Sequence, residues 1–253
     1  MAFPFLPLGR KPSNSSFQPP TLQVDVHAHL LPGRHDGTDS VDHSLMLLNE
    51  LAAYGFRKVI ATLHIMDNYY DNTAASILAT AAELTERLEE EYGQIEIKPA
   101  AEYYIDRGLM RLLYKQEPLL TFSDAQQKHR YLLFDTSLVT APQELEDAIR
   151  AFRKQGITPV MTHPEQYIYL QKMPSYLFTL QEMGVLFQVN ILSLVGQPSR
   201  EAKQLAEWMI DQKLVSFLGS NLQKDHQLPL LHYAMTLPYY QKVLQAGILN
   251  NTI

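Results

Sequence analysis

The sequence predicts an α/β fold in which a parallel β-sheet, open or closed into a barrel, is covered by helices. Seven short apolar runs alternate with stretches whose apolar residues recur at helical spacing, the pattern of repeated strand–helix units. The chain has 253 residues, 46% of them hydrophobic, which suffices for one sizeable core. Ionisable residues recur at the same end of nearly every run, and in a barrel the C-terminal strand ends share one face.

The predicted strands are short, and most are rich in β-branched or aromatic residues. They cover residues 22–26, 59–62, 95–100, 131–134, 158–161, 186–189 and 214–218. No stretch after residue 21 is rich enough in Gly, Pro or Ser to be a linker. Residues 22–253 are therefore predicted to form a single domain.

Two helices are predicted from apolar faces that end at a glycine. One begins near Asp39 and ends at Gly55, and the other begins at Thr73 and ends at Gly93.

Two further helices are predicted from residues that can cap a first turn. Thr140 and Gln143 have the spacing of a capping box, with Pro142 in the first turn and Gly156 as the stop. Ser199 can cap the start of the next helix.

Composition and charge exclude several classes of protein. The net charge is -6, whereas a general nucleic-acid binder usually shows a basic excess. No apolar run approaches the roughly 20 residues of a membrane span. The chain has no cysteine, so a metal would be held by His, Asp and Glu, which suits manganese, iron, zinc or magnesium.

Residues 1–21 are predicted to be a flexible leader, because this segment is rich in Pro and Ser. Its apolar residues precede its basic pair, the reverse of the order in a secretory signal peptide, so a cytoplasmic location is expected. Phe3, Phe5 and Leu6 are candidates for a docking tag.

Polar side chains stand where the predicted strands end. His27 and His29 are two residues apart, so on a strand both project to one side and can bind one metal. A single histidine is more often structural, but a convergent set of ionisable residues would be costly to bury without a cation. The later strands end at His64, Glu102, Asp135, His163, Asn190 and Asn221.

These strand ends contain a series of motifs in a recognisable order. They are DVHAHLLPG at 25–33 followed by DG at 36–37, ATLH at 61–64, AEYY at 101–104, YLLFD at 131–135, THPE at 162–165, FQVN at 187–190 and FLGSN at 217–221. The series resembles the polymerase-and-histidinol-phosphatase (PHP) family. More narrowly, it resembles the bacterial PHP-type tyrosine-protein phosphatases of capsule and exopolysaccharide gene clusters.

The resemblance implies a distorted (β/α)7 barrel that usually holds three metal ions, often manganese, and cleaves phosphotyrosine. It also implies a phosphotyrosine protein or tail as substrate, and a tyrosine kinase of polysaccharide export as partner. Catalytic roles are implied for Asp36, His64 and His163. The implied metal ligands are His27, His29, Asp36, His64, Glu102, Asp135 and His163.

The sequence departs from the family pattern at several site positions. The last motif normally reads Ser-Asp-x-His, and here Asn221 and Gln223 replace its two ligands. Gln166 stands where the family has a phosphate-binding arginine, and His226-Gln227 replaces a second Arg-His pair. His35-Asp36-Gly37 replaces Asp-Asp-Gly, and Asp135 replaces a glutamate.

The departures predict a weakened site. An amide oxygen can coordinate a hard cation but brings no charge, so fewer than three tightly bound ions are expected. The site built on Glu102, Asp135 and His163 is expected to persist. Losing bidentate arginines removes the best planar phosphate recognition, so reduced activity is expected.

Substrate contacts are expected from residues beside the ligand positions. Arg34 and His35 are candidates to replace the missing arginines, and Gln166 occupies one arginine position. Tyrosines that follow the ligand positions are expected at the cavity mouth, where they could stack against an aromatic ring. They are Tyr103, Tyr104, Tyr167 and Tyr169.

Two functions remain open at this point, a phosphatase of reduced activity and a pseudo-phosphatase that binds a phosphotyrosine partner. An amidohydrolase-like enzyme is a weaker alternative, because no candidate for a carbamylated lysine or a late catalytic aspartate stands at a strand end. A histidinol-phosphate phosphatase fits the motifs less well than a tyrosine phosphatase.

Overall fold

The computed structural model describes residues 21–33, 36–91 and 94–253. The predicted leader up to residue 20, with Phe3, Phe5 and Leu6, lies outside these ranges, as do Arg34, His35 and the predicted helix stop Gly93.

Seven parallel strands and one short antiparallel strand form a single sheet. The strands are β1 (Val24–Ala28), β2 (Lys58–Ile65), β3 (Glu96–Tyr104), β4 (Phe122–Ser123), β5 (Arg130–Asp135), β6 (Ile157–Thr162), β7 (Leu186–Asn190) and β8 (Val215–Gly219). Their order is β1-β2-β3-β5-β6-β7-β8, and β4 pairs with β5 alone. The predicted fold, a parallel sheet wound into a (β/α)7-type barrel, is confirmed.

Helices connect successive strands. They are α1 (Val41–Ala53), α2 (Ala74–Glu91), α3 (Arg107–Lys115), α4 (Leu145–Lys154), α5 (Ile168–Lys172), α6 (Tyr176–Glu182), α7 (Arg200–Asp211), α8 (Leu228–Met235) and α9 (Pro238–Gln245). Short 3-10 helices cover Pro164–Gln166, Ile191–Val195, Asp225–Gln227 and Asn250–Thr252. Within the described ranges, none of the helices is both long and apolar enough to cross a membrane.

The predicted helix ends were correct where a local signal decided them. Ser199 caps α7 by accepting a hydrogen bond from the Ala202 N–H, and Gly55 follows α1 with a φ of 103°. The predicted capping box at Thr140 was wrong. The Leu145 N–H donates to the Pro142 carbonyl in a turn, so α4 begins only at Leu145.

Below the polar site, the same strand faces carry apolar side chains that fill the barrel interior. On β2, the buried Ile60 lies on the same face as His64, because alternate residues of a strand project to one side. On β3, the buried Ala100 lies on the same face as Glu102. A larger apolar layer packs between the strands and the helices. The polar site therefore lies on top of a dry interior.

Side chains close the barrel between β1 and β8, the two ends of the strand order. Asn250 is fully buried, and its oxygen accepts from the Leu218 N–H at 2.9 Å. Its amide nitrogen donates to the carbonyls of Val24 at 2.8 Å and Leu218 at 2.7 Å. The Asp25 carboxylate accepts from the Ser220 N–H at 3.0 Å. At the seam between β1 and β8, these bonds take the place of the backbone hydrogen bonds that join neighbouring strands elsewhere in the sheet.

Just beyond the ends of β1 and β8, the backbone itself completes the closure. The Asn221 N–H donates to the His27 carbonyl at 2.8 Å, and the His29 N–H donates to the Leu222 carbonyl at 2.9 Å. The segment after β8 is therefore bonded directly to the two histidines of the first motif.

Replacing Asn250 by alanine is expected to destabilise the protein by about 1–3 kcal/mol, because buried backbone groups of both seam strands lose their partner. Asn251 is the matched control, since its side chain also bonds two backbone groups but is exposed. Asn251→Ala should change the free energy of unfolding by about 0.5 kcal/mol or less. Urea unfolding with unchanged slope measures both. Equal effects of the two substitutions would contradict the role assigned to the seam.

Candidate metal centre

The structure brings all seven predicted ligands together at the C-terminal ends of the strands. His27, His64, Glu102 and Asp135 lie at the ends of β1, β2, β3 and β5. His29 and His163 directly follow β1 and β6, and Asp36 comes from the loop after β1.

The Glu102 carboxylate lies at the middle of this cluster and is fully buried. One of its oxygens, Oε2, lies 2.9 Å from His27 Nε2, 3.4 Å from His29 Nε2 and 3.1 Å from His64 Nε2. The other oxygen, Oε1, lies 3.4 Å from His163 Nε2 and accepts from the Thr162 hydroxyl at 2.6 Å. Four imidazoles therefore surround one carboxylate.

Gln188 on β7 orients the His27 ring. Its Oε1 lies 2.8 Å from His27 Nδ1, so this amide oxygen accepts the Nδ1–H and leaves Nε2 directed at Glu102. Both side chains are fully buried. Gly219 makes room for them, because a Cβ there would lie 2.7 Å from Gln188 Nε2 and from His27 Cβ. Gln188 lies within a recognised motif, but the sequence did not reveal this contact.

Asn72 and His64 hold Asp36 in place. The Asp36 Oδ2 accepts from the His64 backbone N–H and lies 3.0 Å from His64 Nδ1. The Asn72 amide donates to Asp36 Oδ1 at 3.2 Å and to the His64 carbonyl at 2.9 Å. Asn72 carries no recognisable sequence signal, since it lies in the irregular segment after β2.

Opposite charges shift the pKa values within the cluster. Burial alone would raise the pKa of Glu102, but His27 and His64 hold it well below its usual range. Burial alone would lower the pKa of His64, but Glu102, Asp135 and Asp36 raise it well above its usual value. Burial raises the pKa of Asp135, and the charge of Glu102 adds to that effect. Two carboxylates thus share one desolvated cavity.

The donor set fits divalent metal ions. Three groups of three residues each place one candidate ligand atom per residue within 4.8 Å of the others. His29 Nδ1, Asp135 Oδ1 and His163 Nδ1 are buried without a hydrogen-bond partner among the residues described. Nitrogen and oxygen donors of this kind suit transition metals. The three groups are His27-His29-Glu102, His29-Asp36-His64 and His64-Glu102-Asp135.

Residues 23–240 match the model of the family described as capsular polysaccharide synthesis, CpsB/CapC. The chain belongs to this family. The resemblance read from the motifs is thereby confirmed.

Relatives of this CpsB/CapC protein include proteins named as tyrosine-protein phosphatases. It is 27% identical to the tyrosine-protein phosphatase YwqE of Bacillus subtilis, over 78% of this chain and 76% of that protein. It is 25% identical to the tyrosine-protein phosphatase CpsB of Streptococcus pneumoniae, over 83% of this chain and 87% of that one.

Solved structures show the same architecture. One described as YwqE from Bacillus subtilis and CpsB from Streptococcus pneumoniae, metal-dependent tyrosine phosphatases, superposes with a TM-score of 0.74 at 25% identity. It covers 84% of this chain and 85% of that chain. A histidinol phosphate phosphatase from Lactococcus lactis shares the fold, with a TM-score of 0.54 at 13% identity over 90% of this chain and 94% of that chain.

The two amide positions of the last motif lie beside the cluster, bonded to the segments that carry His27 and Asp36. The Gln223 amide donates to the Gly37 carbonyl at 3.1 Å, next to Asp36. Asn221 has a left-handed φ of 50°, and its carbonyl accepts from the Gln227 amide at 3.4 Å. Gln223 therefore stabilises the loop that carries Asp36.

The predicted positions of two tyrosines at the cavity mouth were wrong. Tyr103 is 1% exposed, and its hydroxyl accepts from the Leu120 N–H, because alternation along β3 turns it away from the face of Glu102. Tyr167 is 0% exposed, and its hydroxyl accepts from the Thr136 N–H. Tyr104, Tyr169 and Gln166 are partly buried.

A different tyrosine lies against the cluster. The ring of Tyr70, in the segment after β2, stacks on His64 with centroids 5.3 Å apart and planes at 23°. Tyr69, which is 67% exposed, contacts Tyr70 edge-on at 4.7 Å. The Tyr69-Tyr70 pair soon after the ATLH motif was the available sequence signal.

Replacing Gln188 by leucine is expected to weaken metal binding about 10–100-fold, because His27 loses the acceptor that orients its ring. Leucine also removes a buried Gln188 Nε2 that lacks a partner within the described part of the chain. Calorimetric titration with Mn²⁺ measures the affinity, and Gln181→Leu on the exposed surface of α6 is the control. Unchanged affinity in Gln188→Leu would show that His27 needs no such support.

Proposed function

We propose that this CpsB/CapC protein hydrolyses phosphotyrosine in proteins, in a reaction that depends on divalent metal ions. The observation that carries the proposal is a set of three overlapping ligand groups. Two of them contain the buried Glu102 carboxylate, and the third shares His29 with one and His64 with the other. The relatives YwqE and CpsB, named as tyrosine-protein phosphatases, support the same reaction class.

Manganese is the proposed metal, with iron, zinc and magnesium as alternatives. A bound divalent cation polarises a phosphoryl oxygen and lowers the pKa of water. Fewer than three tightly bound ions are proposed, because Gln223 replaces an imidazole and Asn221 adds no charge. Glu102 and Asp135 are proposed to anchor the strongest site. The ligand group that contains both is completed by His64, at 3.1 Å and 3.6 Å from the two carboxylates, and not by the expected His163.

Asp36, His64 and His163 are the proposed catalytic residues. Asp36 accepts the His64 Nδ1–H, so the His64 Nε2 faces Glu102 and Asp135, where a phosphoryl group would be held. His163 reaches the same cavity from β6, beside Glu102 Oε1. A tyrosine oxygen has a pKa of about 10 and needs less proton assistance to leave than an alkyl oxygen does. His163 is the proposed source of the proton that the leaving oxygen takes up.

Reduced turnover is proposed from two metal-ligand positions and one phosphate-binding position at which this chain departs from the family pattern. Gln166, Asn221 and Gln223 provide no positive or negative charge where the family pattern has an arginine, an aspartate and a histidine. Charge positioned for the transition state is what accelerates phosphoryl transfer. Arg34 stays a candidate for the phosphate contact.

A phosphotyrosine-binding module without turnover is the second candidate. The observation that favours it is the Gln223 amide, which is bonded to the Gly37 carbonyl rather than directed at the ligand groups. Both functions use the same substrate class, a phosphotyrosine protein or tail, and neither requires nucleic acid.

The proposed partner is a tyrosine kinase of polysaccharide export, since the family is described by capsular polysaccharide synthesis. Protein phosphorylation consumes ATP, so a cytoplasmic location is proposed with it. Residues 22–253 are proposed to act as one domain, with residues 1–21 as a leader.

Hydrolysis of a phosphotyrosine peptide by the purified chain should require added Mn²⁺ and be lost on chelation. Glu102→Gln should lower the rate about 100–1,000-fold, because the neutral amide removes the charge shared by the imidazoles. Glu89→Gln on the exposed face of α2 should leave the rate unchanged. Metal-independent hydrolysis, or full activity of Glu102→Gln, would refute the proposed reaction.

The combined change Gln166→Arg, Asn221→Asp and Gln223→His should raise kcat/KM by several orders of magnitude, since each 1.36 kcal/mol is about tenfold. Single changes should do little, because the groups act as a unit. Gln181→Arg controls for added surface charge. A triple variant that is folded and metal-loaded yet no faster would show that these three residues do not limit the reaction.

A further inference from the structure

A cavity of about 410 Å³ opens beside the metal centre, between the segment after β2 and helix α3. Tyr70 and Asn72 line it from one side, and Leu109 and Arg111 line it from the other. Tyr70 also stacks on His64, and Asn72 also bonds Asp36. These two residues therefore form the boundary between the ligand cluster and an open cavity.

We propose that the ring of Tyr70 is the wall against which the aromatic ring of the substrate phosphotyrosine packs, and that Tyr70 thereby determines the preference for tyrosine. The inference rests on the proposed phosphatase function and names the residue that selects its substrate.

The role proposed for Tyr70 follows from the way a phosphotyrosine would have to enter the site. Its phosphate has to approach His64 and Asp36, while its peptide backbone stays outside the barrel. The substrate ring then occupies the space between, where Tyr70 lines the cavity. Aromatic rings attract one another in offset or edge-on arrangements, whereas the short alkyl side chain of phosphoserine has no ring to pack.

The neighbouring aromatic residues leave this role to Tyr70. Tyr103 and Tyr167 are buried and present no surface to a ligand, and the partly buried Tyr104 and Tyr169 do not line this cavity. Tyr69 packs edge-on against Tyr70 and helps to hold its ring. The ion pair between Arg111 and Asp67, 2.9 Å apart, forms a polar rim on the same cavity, suited to the peptide groups that flank a phosphotyrosine.

The test measures binding of two peptides of one sequence to the manganese-loaded full chain. One peptide carries phosphonomethyl-phenylalanine, a non-hydrolysable analogue of phosphotyrosine, and the other carries a phosphonate analogue of phosphoserine. The wild type should prefer the aromatic peptide. Tyr70→Leu should reduce this preference about tenfold, equivalent to about 1.4 kcal/mol, and Tyr70→Phe should retain it. Tyr114→Leu is the control, because Tyr114 is 91% exposed and does not line the cavity.

Three results would overturn the inference. The first is a wild type that binds the two peptides equally well. The second is a Tyr70→Leu variant that keeps the wild-type preference. The third is a Tyr70→Leu variant whose metal content falls and whose affinity for both peptides falls by the same factor. The last result would mean that Tyr70 only supports His64. Turnover of the hydrolysable peptide, measured in parallel, tests the proposed reaction separately. A wild type that binds selectively without turnover supports the inference and refutes the phosphatase.

Discussion

The buried Glu102 carboxylate is the constraint on which the rest of the site depends. A fully desolvated charge is costly unless it is paired and hydrogen-bonded. Here four imidazoles and the Thr162 hydroxyl surround it, contributed by β1, β2, the end of β6 and the residues that follow. The strand ends therefore have to converge on Glu102. The same pairing lowers the pKa of Glu102 and raises the pKa of His64.

Closure of the barrel connects this cluster to the degenerate last motif. Asn250 and Asp25 bridge β1 and β8 with side-chain hydrogen bonds, and the Asn221 N–H reaches the His27 carbonyl. The segment after β8 is thus bonded to the first histidine motif whatever side chains it carries. That dependence on backbone bonds explains how Asn221 and Gln223 can occupy ligand positions while the scaffold of the CpsB/CapC family is maintained.

Binding of the metal ion and recognition of the substrate are two separate parts of the proposed chemistry, and different residues serve them. The residues around Glu102 offer donor atoms at the short mutual distances that cation binding needs. Recognition of the phosphate and of the tyrosine ring is proposed to depend on residues outside that set, among them Gln166 and Tyr70. The donor atoms of the first part are present in this chain, whereas Gln166 departs from the pattern that the family resemblance implies.

The sequence by itself determined the elements whose signals are local. Strand–helix alternation predicted all seven parallel strands, Ser199 and Gly55 marked helix ends, and His-x-His with the strand-end residues predicted the ligand cluster. Only the tertiary structure decided which residues support that cluster. Gln188 meets His27 across 161 positions and Asn250 meets Val24 across 226, distances that no periodicity encodes. Tyr103 was misplaced for a different reason: strand alternation, which the sequence does encode, puts it on the face opposite Glu102, where the helical layer buries it.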